Sequence, residues 1–228
     1  MKRDYPIIES PTSRWILGFL LSILSFILVA FLSYFLKIDN MILNAVILST
    51  IGIVSLFIID RDFVKKVFKP LKPKDIIFIL VGVVIMFVSI VISSIVMTNI
   101  DMDVSTNPIF GLIDEGNIVE FFISSVIQFI TEEIIFIIPF LFVMNKFDFK
   151  SEKLKIIVAV IVSSVIFGLM HLSTYNFNFL QAILIISIIR IGLTMSYIIS
   201  KNLTVTYLVH IIYDWGIILI GMKYAVGF

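Results

Sequence analysis

The sequence predicts an all-α protein, a polytopic transmembrane helical bundle of about seven spans with its N-terminus inside. Of the 228 residues, 60% are hydrophobic and only 14% charged, and the mean hydropathy of +1.15 lies well outside the range of soluble globular domains. The apolar residues gather into runs of about 20, the length that crosses a hydrocarbon core. The lysines and arginines gather in alternate connections between those runs, as the positive-inside rule requires.

Taken in order, the runs cover about residues 15–36, 41–59, 76–97, 118–144, 154–172, 179–200 and 203–222. The first follows the charged start "MKRDYPIIESPTSR". It exceeds a signal-peptide core and lacks a small-x-small cleavage site, so it is expected to be retained. The second and third flank "FVKKVFKPLKPKD", a basic connection that fixes orientation; the alternative is a short interfacial helix on anionic lipid. The fourth run is the longest, so it tilts or starts among the headgroups near Glu120.

With the N-terminus inside, the inner segments carry Lys2, Arg3, Arg14, Arg61, Lys65, Lys66, Lys69, Lys72, Lys74, Lys146, Lys150, Lys153, Lys155 and Lys201. The outer segments carry only Lys37 and Lys223. The 98–117 connection has no base and holds Asp101, Asp103, Asp114 and Glu115, as an outer loop can. No repeat, low-complexity tract or linker interrupts the chain, so residues 1–228 are expected to form a single integral-membrane domain that crosses the membrane several times. The lipid bilayer is then a partner and nucleic acid is not. The absence of cysteine excludes disulfides, thiolate zinc sites and a cysteine nucleophile.

An ionisable group at the bilayer centre costs about 3 kcal/mol on insertion scales, so such groups usually face a protein interior or a water-filled cavity. Here they are Glu132 and Glu133 in the fourth run, His171 at the end of the fifth, Arg190 in the sixth, and His210 and Asp214 in the seventh. His210 and Asp214 are four apart, so on a helix they share a face and the carboxylate can orient or charge-stabilise the imidazole. Phe167 stands one turn before His171 and can wall its ring. Glu132 and Glu133 diverge by about 100°, and two close carboxylates in low dielectric do not both ionise easily. A glutamate with histidines at hand is what a general base for water activation requires. The same residues could instead form interhelical hydrogen bonds or an ion or proton relay.

The ordered set "EEIIFI" (Glu132, Glu133, Ile137), "FGLMH" (Phe167 to His171) and "HIIYD" (His210 to Asp214) resembles the CAAX protease and bacteriocin-processing family (CPBP, or Abi) of intramembrane endopeptidases. That family carries E-E-x-x-x-R, F-x-x-x-H and H-x-x-x-N or H-x-x-x-D on successive helices. The resemblance covers residues 118–222. It implies that Glu132 and His171 activate a water, that His210 and Asp214 stabilise the oxyanion, and that Glu133 tunes or supports. The implied substrate is a peptide, or a membrane-anchored or prenylated protein, and the implied setting is bacteriocin or signal-peptide processing or self-immunity. The family has been called metalloproteases, so a divalent metal such as zinc is left open, although H-E-x-x-H is absent and no cofactor is required. Ile137 stands where the family has arginine, and Arg190 could supply the missing cation to Glu133. Two alternatives follow: a non-catalytic immunity or scaffold protein of the same fold, suggested by Ile137, and a proton-coupled transporter. Against the second stands the lack of paired halves and of helices broken in corresponding positions.

Overall fold

The structure, a computed structural model, describes residues 4–38, 40–100, 105, 113 and 117–225. Lys2, Arg3, Asp101, Asp103, Asp114 and Glu115, used above to orient the chain, lie outside the described residues. Among the described residues it contains eight α-helices and no strand. They are α1 (Thr12–Leu36), α2 (Met41–Ile59), α3 (Phe63–Val67), α4 (Asp75–Ile100), α5 (Ile118–Lys146), α6 (Glu152–Met170), α7 (Ser187–Ser200) and α8 (Leu203–Ala225), with a π-helical turn (Gln181–Ile186) leading into α7.

Seven of these helical segments are long and apolar enough to cross a membrane, and they fall on the seven runs read from the sequence. The protein is therefore multi-pass. At 1.5 Å per residue the 29 residues of α5 extend about 43 Å, well beyond a core of about 30 Å. One boundary matters for chemistry: α6 ends at Met170, so His171 opens the turn that follows.

Local chemistry explains the ends. Asn40 caps α2 by accepting from the Leu43 N–H at 2.7 Å. Lys37 and Lys201 close α1 and α7 in the left-handed region at φ 54° and 50°. Pro70 and Pro73 keep the chain from continuing helically between α3 and α4.

The described residues of Asp4–Lys69 and Glu115–Ala159 form one compact unit, and those of Pro70–Asp114 and Val160–Phe228 another. We call them the carboxylate unit and the histidine unit after the polar residues each holds. In the carboxylate unit α5 packs on α2 and α1, and α1 on α2. With no water to drive helices together in lipid, close approach and interhelical hydrogen bonds do so. A Cβ on Gly18 would lie 2.6 Å from Ile59, and one on Gly52 3.3 Å from Ile134. Ser49 Oγ donates to the Ile127 carbonyl at 2.5 Å and lies 3.2 Å from Thr131 Oγ1.

The segment before α1 is strapped onto the same unit. Asn145 accepts from the Ile8 N–H at 2.9 Å and donates to the Pro6 carbonyl at 3.3 Å, while Ser10 Oγ donates to the Ile59 carbonyl at 2.6 Å. Tyr5 lies against Phe140, and burial, with the Glu152 carboxylate nearby, pushes its hydroxyl up to about 12.

The basic stretch does contain a short helix, α3, but Phe63 and Val67, one turn apart, bury their side chains completely, Phe63 edge-on to Trp15 at 5.6 Å. Its apolar face is thus spent inside the protein. Burial pushes the Asp60 carboxyl up, but the hydrogen bonds from Lys66 and the Asp62 N–H outweigh this and hold it below the usual range.

In the histidine unit α4 packs on α7, α8 and the π-helical turn, and α7 on α8. Met86, Leu193 and Val209 form its buried core, with Tyr213 packed against them. Gly82 permits the approach of Val209, 2.8 Å from its hypothetical Cβ, and a Cβ on Gly192 would overlap Ser89.

Candidate active site

The carboxylates come from α5, which is buried on every side from Thr131 to Leu141. Both Glu132 and Glu133 are therefore buried, despite their divergence around the helix axis. Gln128, one turn earlier, donates from Nε2 to Glu132 Oε1 at 2.9 Å. It holds one carboxylate oxygen and fixes the head group, a role the sequence reading did not assign. Pro139 lies inside the same helix and lacks the N–H that would bond the Ile135 carbonyl one turn back. Ile137, at the motif's arginine position, is wholly buried and apolar.

The remaining residues belong to the histidine unit. Phe167 occupies the last turn of α6 and His171 the first position beyond it. The four-residue interval brings the rings together, with centroids 4.6 Å apart and planes 37° inclined. His171 Nδ1 lies 2.9 Å from the Phe167 carbonyl oxygen. A carbonyl only accepts, so Nδ1 carries a proton, and the neutral form of the ring has its lone pair at Nε2. This is the atom that can take a hydrogen bond or a proton from water.

The turn after His171 is unusual. Asn176 and Phe177 both have positive φ, 51° and 58°, a costly conformation for a residue as bulky as phenylalanine. The π-helical turn follows directly, and such turns are common at functional sites.

His210 and Asp214 meet on α8 as their spacing predicts. Nε2 lies 2.9 Å from Asp214 Oδ2, with the ring buried and the carboxylate side chain 29% exposed. Nε2–H is the donor, so the two histidines are tied through different nitrogens. Arg190 is buried on α7 with its guanidinium carbon 4.7 Å from the centroid of the Phe167 ring, a cation–π contact. The sequence reading sought a carboxylate for this cation and missed the aromatic face. The signals that could have found it were the motif phenylalanine and the glycine after it: Gly168 has no room for a Cβ against the Ala182 carbonyl oxygen and Ser187, so α6 and the π-helical turn meet closely there.

The structure thus joins Glu132 to Gln128 in the carboxylate unit, and Phe167 to His171 and Arg190, and His210 to Asp214, in the histidine unit. Among the described residues no three of His, Cys, Asp or Glu gather as a metal ion requires, and no step is derived through one.

The ordered motifs on α5, α6 with its following turn, and α8 can be set beside known proteins. The family model described as type II CAAX prenyl endopeptidase Rce1-like matches residues 114–216. No curated protein and no solved structure gives a significant match. The matched stretch contains every one of the motif residues, and over it the chain resembles the Rce1-like CAAX-type intramembrane proteases, the family that its motifs indicate.

Proposed function

We propose that the protein is an intramembrane endopeptidase of a bacterial cytoplasmic membrane, which hydrolyses a peptide bond in a peptide or a membrane-anchored or prenylated substrate. The observation that carries this reading is the ordered set of carboxylates and histidines, each buried, ring-stacked or, for Asp214, paired with a buried histidine, in a protein whose spans hold few other ionisable groups. In the reaction Glu132 removes a proton from water as its oxygen attacks the scissile carbonyl carbon. His171 holds the same water through Nε2. The carbonyl oxygen becomes an oxyanion, and His210 donates to it. Because His210 Nε2 is committed to Asp214, donation from Nδ1 requires the imidazolium, with Asp214 as its counter-ion. Collapse of the tetrahedral intermediate breaks the C–N bond, and the proton held by Glu132 passes to the leaving amine.

Glu133 is the supporting carboxylate, and Arg190 is its proposed cation; a double-mutant cycle of the two with no coupling energy would remove that pairing. Bacteriocin or signal-peptide maturation and self-immunity are the settings in which such an activity fits.

Ile137 favours a second reading, a non-catalytic binding or immunity protein of the same fold. Comparative peptidomics of membranes and medium from cells carrying the wild-type chain or Glu132→Gln separates the two. Products present only with wild type support the protease and identify its substrate. Identical profiles, with His171→Ala equally silent, support the binding protein.

A further inference from the structure

We propose that Arg190 is a positioning residue for His171, acting through Phe167. This deepens the protease reading and rests on it for its catalytic meaning. A buried arginine in a span is costly and needs a reason. Here its guanidinium lies over the Phe167 ring, and that ring is also the wall of His171. Phe167 therefore has two partners, one on α7 and one in the turn after α6.

The His171 backbone is hydrogen-bonded to Gly168, Thr174 and Tyr175, but its side chain is lightly held. It lies beyond the last helical residue of α6, among the described residues its ring makes one hydrogen bond, through Nδ1, and five and six residues on the backbone takes left-handed φ at Asn176 and Phe177. A base in such a place would swing about its side-chain torsions unless its neighbouring ring were fixed. Arg190 supplies the fixing contact, and three features of the same unit hold Arg190. The π-helical turn delivers the chain into α7 just before it, Gly168 lets that turn approach α6, and α4 packs along α7 at Gly192. The Phe167 carbonyl sets which nitrogen of His171 is bare, and the stack steadies that bond and fixes where the bare nitrogen points.

The test uses the full chain in detergent or nanodiscs with 15N-labelled histidine. The protein has only two histidines, and a His210→Gln sample assigns them. Wild-type His171 is expected as a single tautomer protonated at Nδ1, with distinct Nδ1 and Nε2 shifts at neutral pH. Averaged shifts in wild type overturn the proposal without any variant.

In Arg190→Met the His171 shifts should move toward each other while the His210 signals, which report the fold, stay in place. Arg190→Lys, which keeps a cation but not its planar face, should fall between. Wild-type His171 shifts in Arg190→Met overturn the proposal; if that variant does not fold, wild-type shifts in Arg190→Lys do so. Glu133→Gln should leave His171 unmoved. If it reproduces the Arg190→Met change, the arginine acts through Glu133 and the proposal fails.

None of these measurements needs a substrate, so failure of the stack is visible apart from failure of the protease reading. Where Glu132-dependent products exist, Arg190→Met should lower their rate of formation about 10- to 100-fold, the scale of a misplacement near 1 Å, and an unchanged rate overturns the catalytic link.

Discussion

The two units present their functional side chains by opposite means. In the carboxylate unit a single α-helix, buried on all sides from Thr131 to Leu141, carries both glutamates, and its polar contacts include hydrogen bonds from Ser49, Gln128 and Asn145 to backbone or side-chain oxygen. In the histidine unit the backbone is irregular around His171, with positive φ at two residues and a π-helical turn. There His171 is oriented by its bond to the Phe167 carbonyl and by ring-to-ring contact with Phe167, which Arg190 covers ion to ring. The contrast shows two ways to keep an ionisable group in a membrane protein: enclose it in a rigid helix, or stack it beside an aromatic wall at the end of one.

The sharpest way to break this comparison is at Asp214, where the histidine unit borrows the device of the other and uses a carboxylate. Asp214→Leu should reduce Glu132-dependent cleavage about 100- to 1,000-fold, the worth of one oxyanion donor, because His210 Nε2 loses its acceptor. Asp214→Asn keeps a hydrogen-bond acceptor but not the charge that steadies the imidazolium, and should recover only a small part of what leucine loses. Product formation measured at equal expression checks both.

Next in size is Gly168→Ala, which forces a methyl group against the Ala182 carbonyl oxygen. Backbone yields poorly, and overpacking costs about 1–3 kcal/mol. The effect should be confined to one unit, and the protein offers a reporter in each, Trp15 in the carboxylate unit and Trp215 in the histidine unit. Chemical denaturation followed by Trp215 in a Trp15→Phe background should shift to lower denaturant, and by Trp15 in a Trp215→Phe background should shift less.

A smaller change comes from Asn145→Leu, which removes both hydrogen bonds to the strap before α1. Leaving the Ile8 N–H without its acceptor should cost about 1–3 kcal/mol, and limited proteolysis should then cut near residues 4–10 at a rate that wild type does not show.

The smallest effect is alkaline. The Tyr5 hydroxyl ionises more readily in the unfolded chain than in the folded one, so its contribution to stability is complete below pH 10 and declines as pH rises toward about 12. The tyrosinate absorbance that develops near pH 12 should fall in Tyr5→Phe, and strap protection should be lost in the same pH window.

The spans were legible because about 20 apolar residues are a physical requirement of the bilayer, written directly in composition. The His210–Asp214 and Phe167–His171 contacts were legible because a four-residue interval has one meaning on a helix. Three features were not. "QAILII" carries no mark that it winds as a π-helical turn rather than an α-helix, since the difference is a backbone hydrogen bond made five residues apart instead of four, which tertiary packing decides. The apolar face of α3 was assigned to lipid in one reading because a sequence shows that Phe63 and Val67 share a face without showing that Trp15 covers it. Arg190 was read by charge, and its contact with Phe167 joins positions 23 apart that no periodicity links.

The order of segments along the chain has a consequence for biogenesis. Every described segment of the carboxylate unit lies within residues 4–159, so it can assemble while residues 160–228 are still being synthesised. During that interval α4 has been made without α7 and α8, the helices it packs on. It must wait in lipid, and it is suited to waiting: its mean hydropathy of 3.2 is the highest of the seven spans. The small buried residues along it, Gly82, Ser89 and Ser93, can be carried there at little cost until the last two helices arrive as a hairpin joined by Lys201 and Asn202. The late helices then bring Arg190, His210 and Asp214 into the bilayer together, after the earlier spans are already in place.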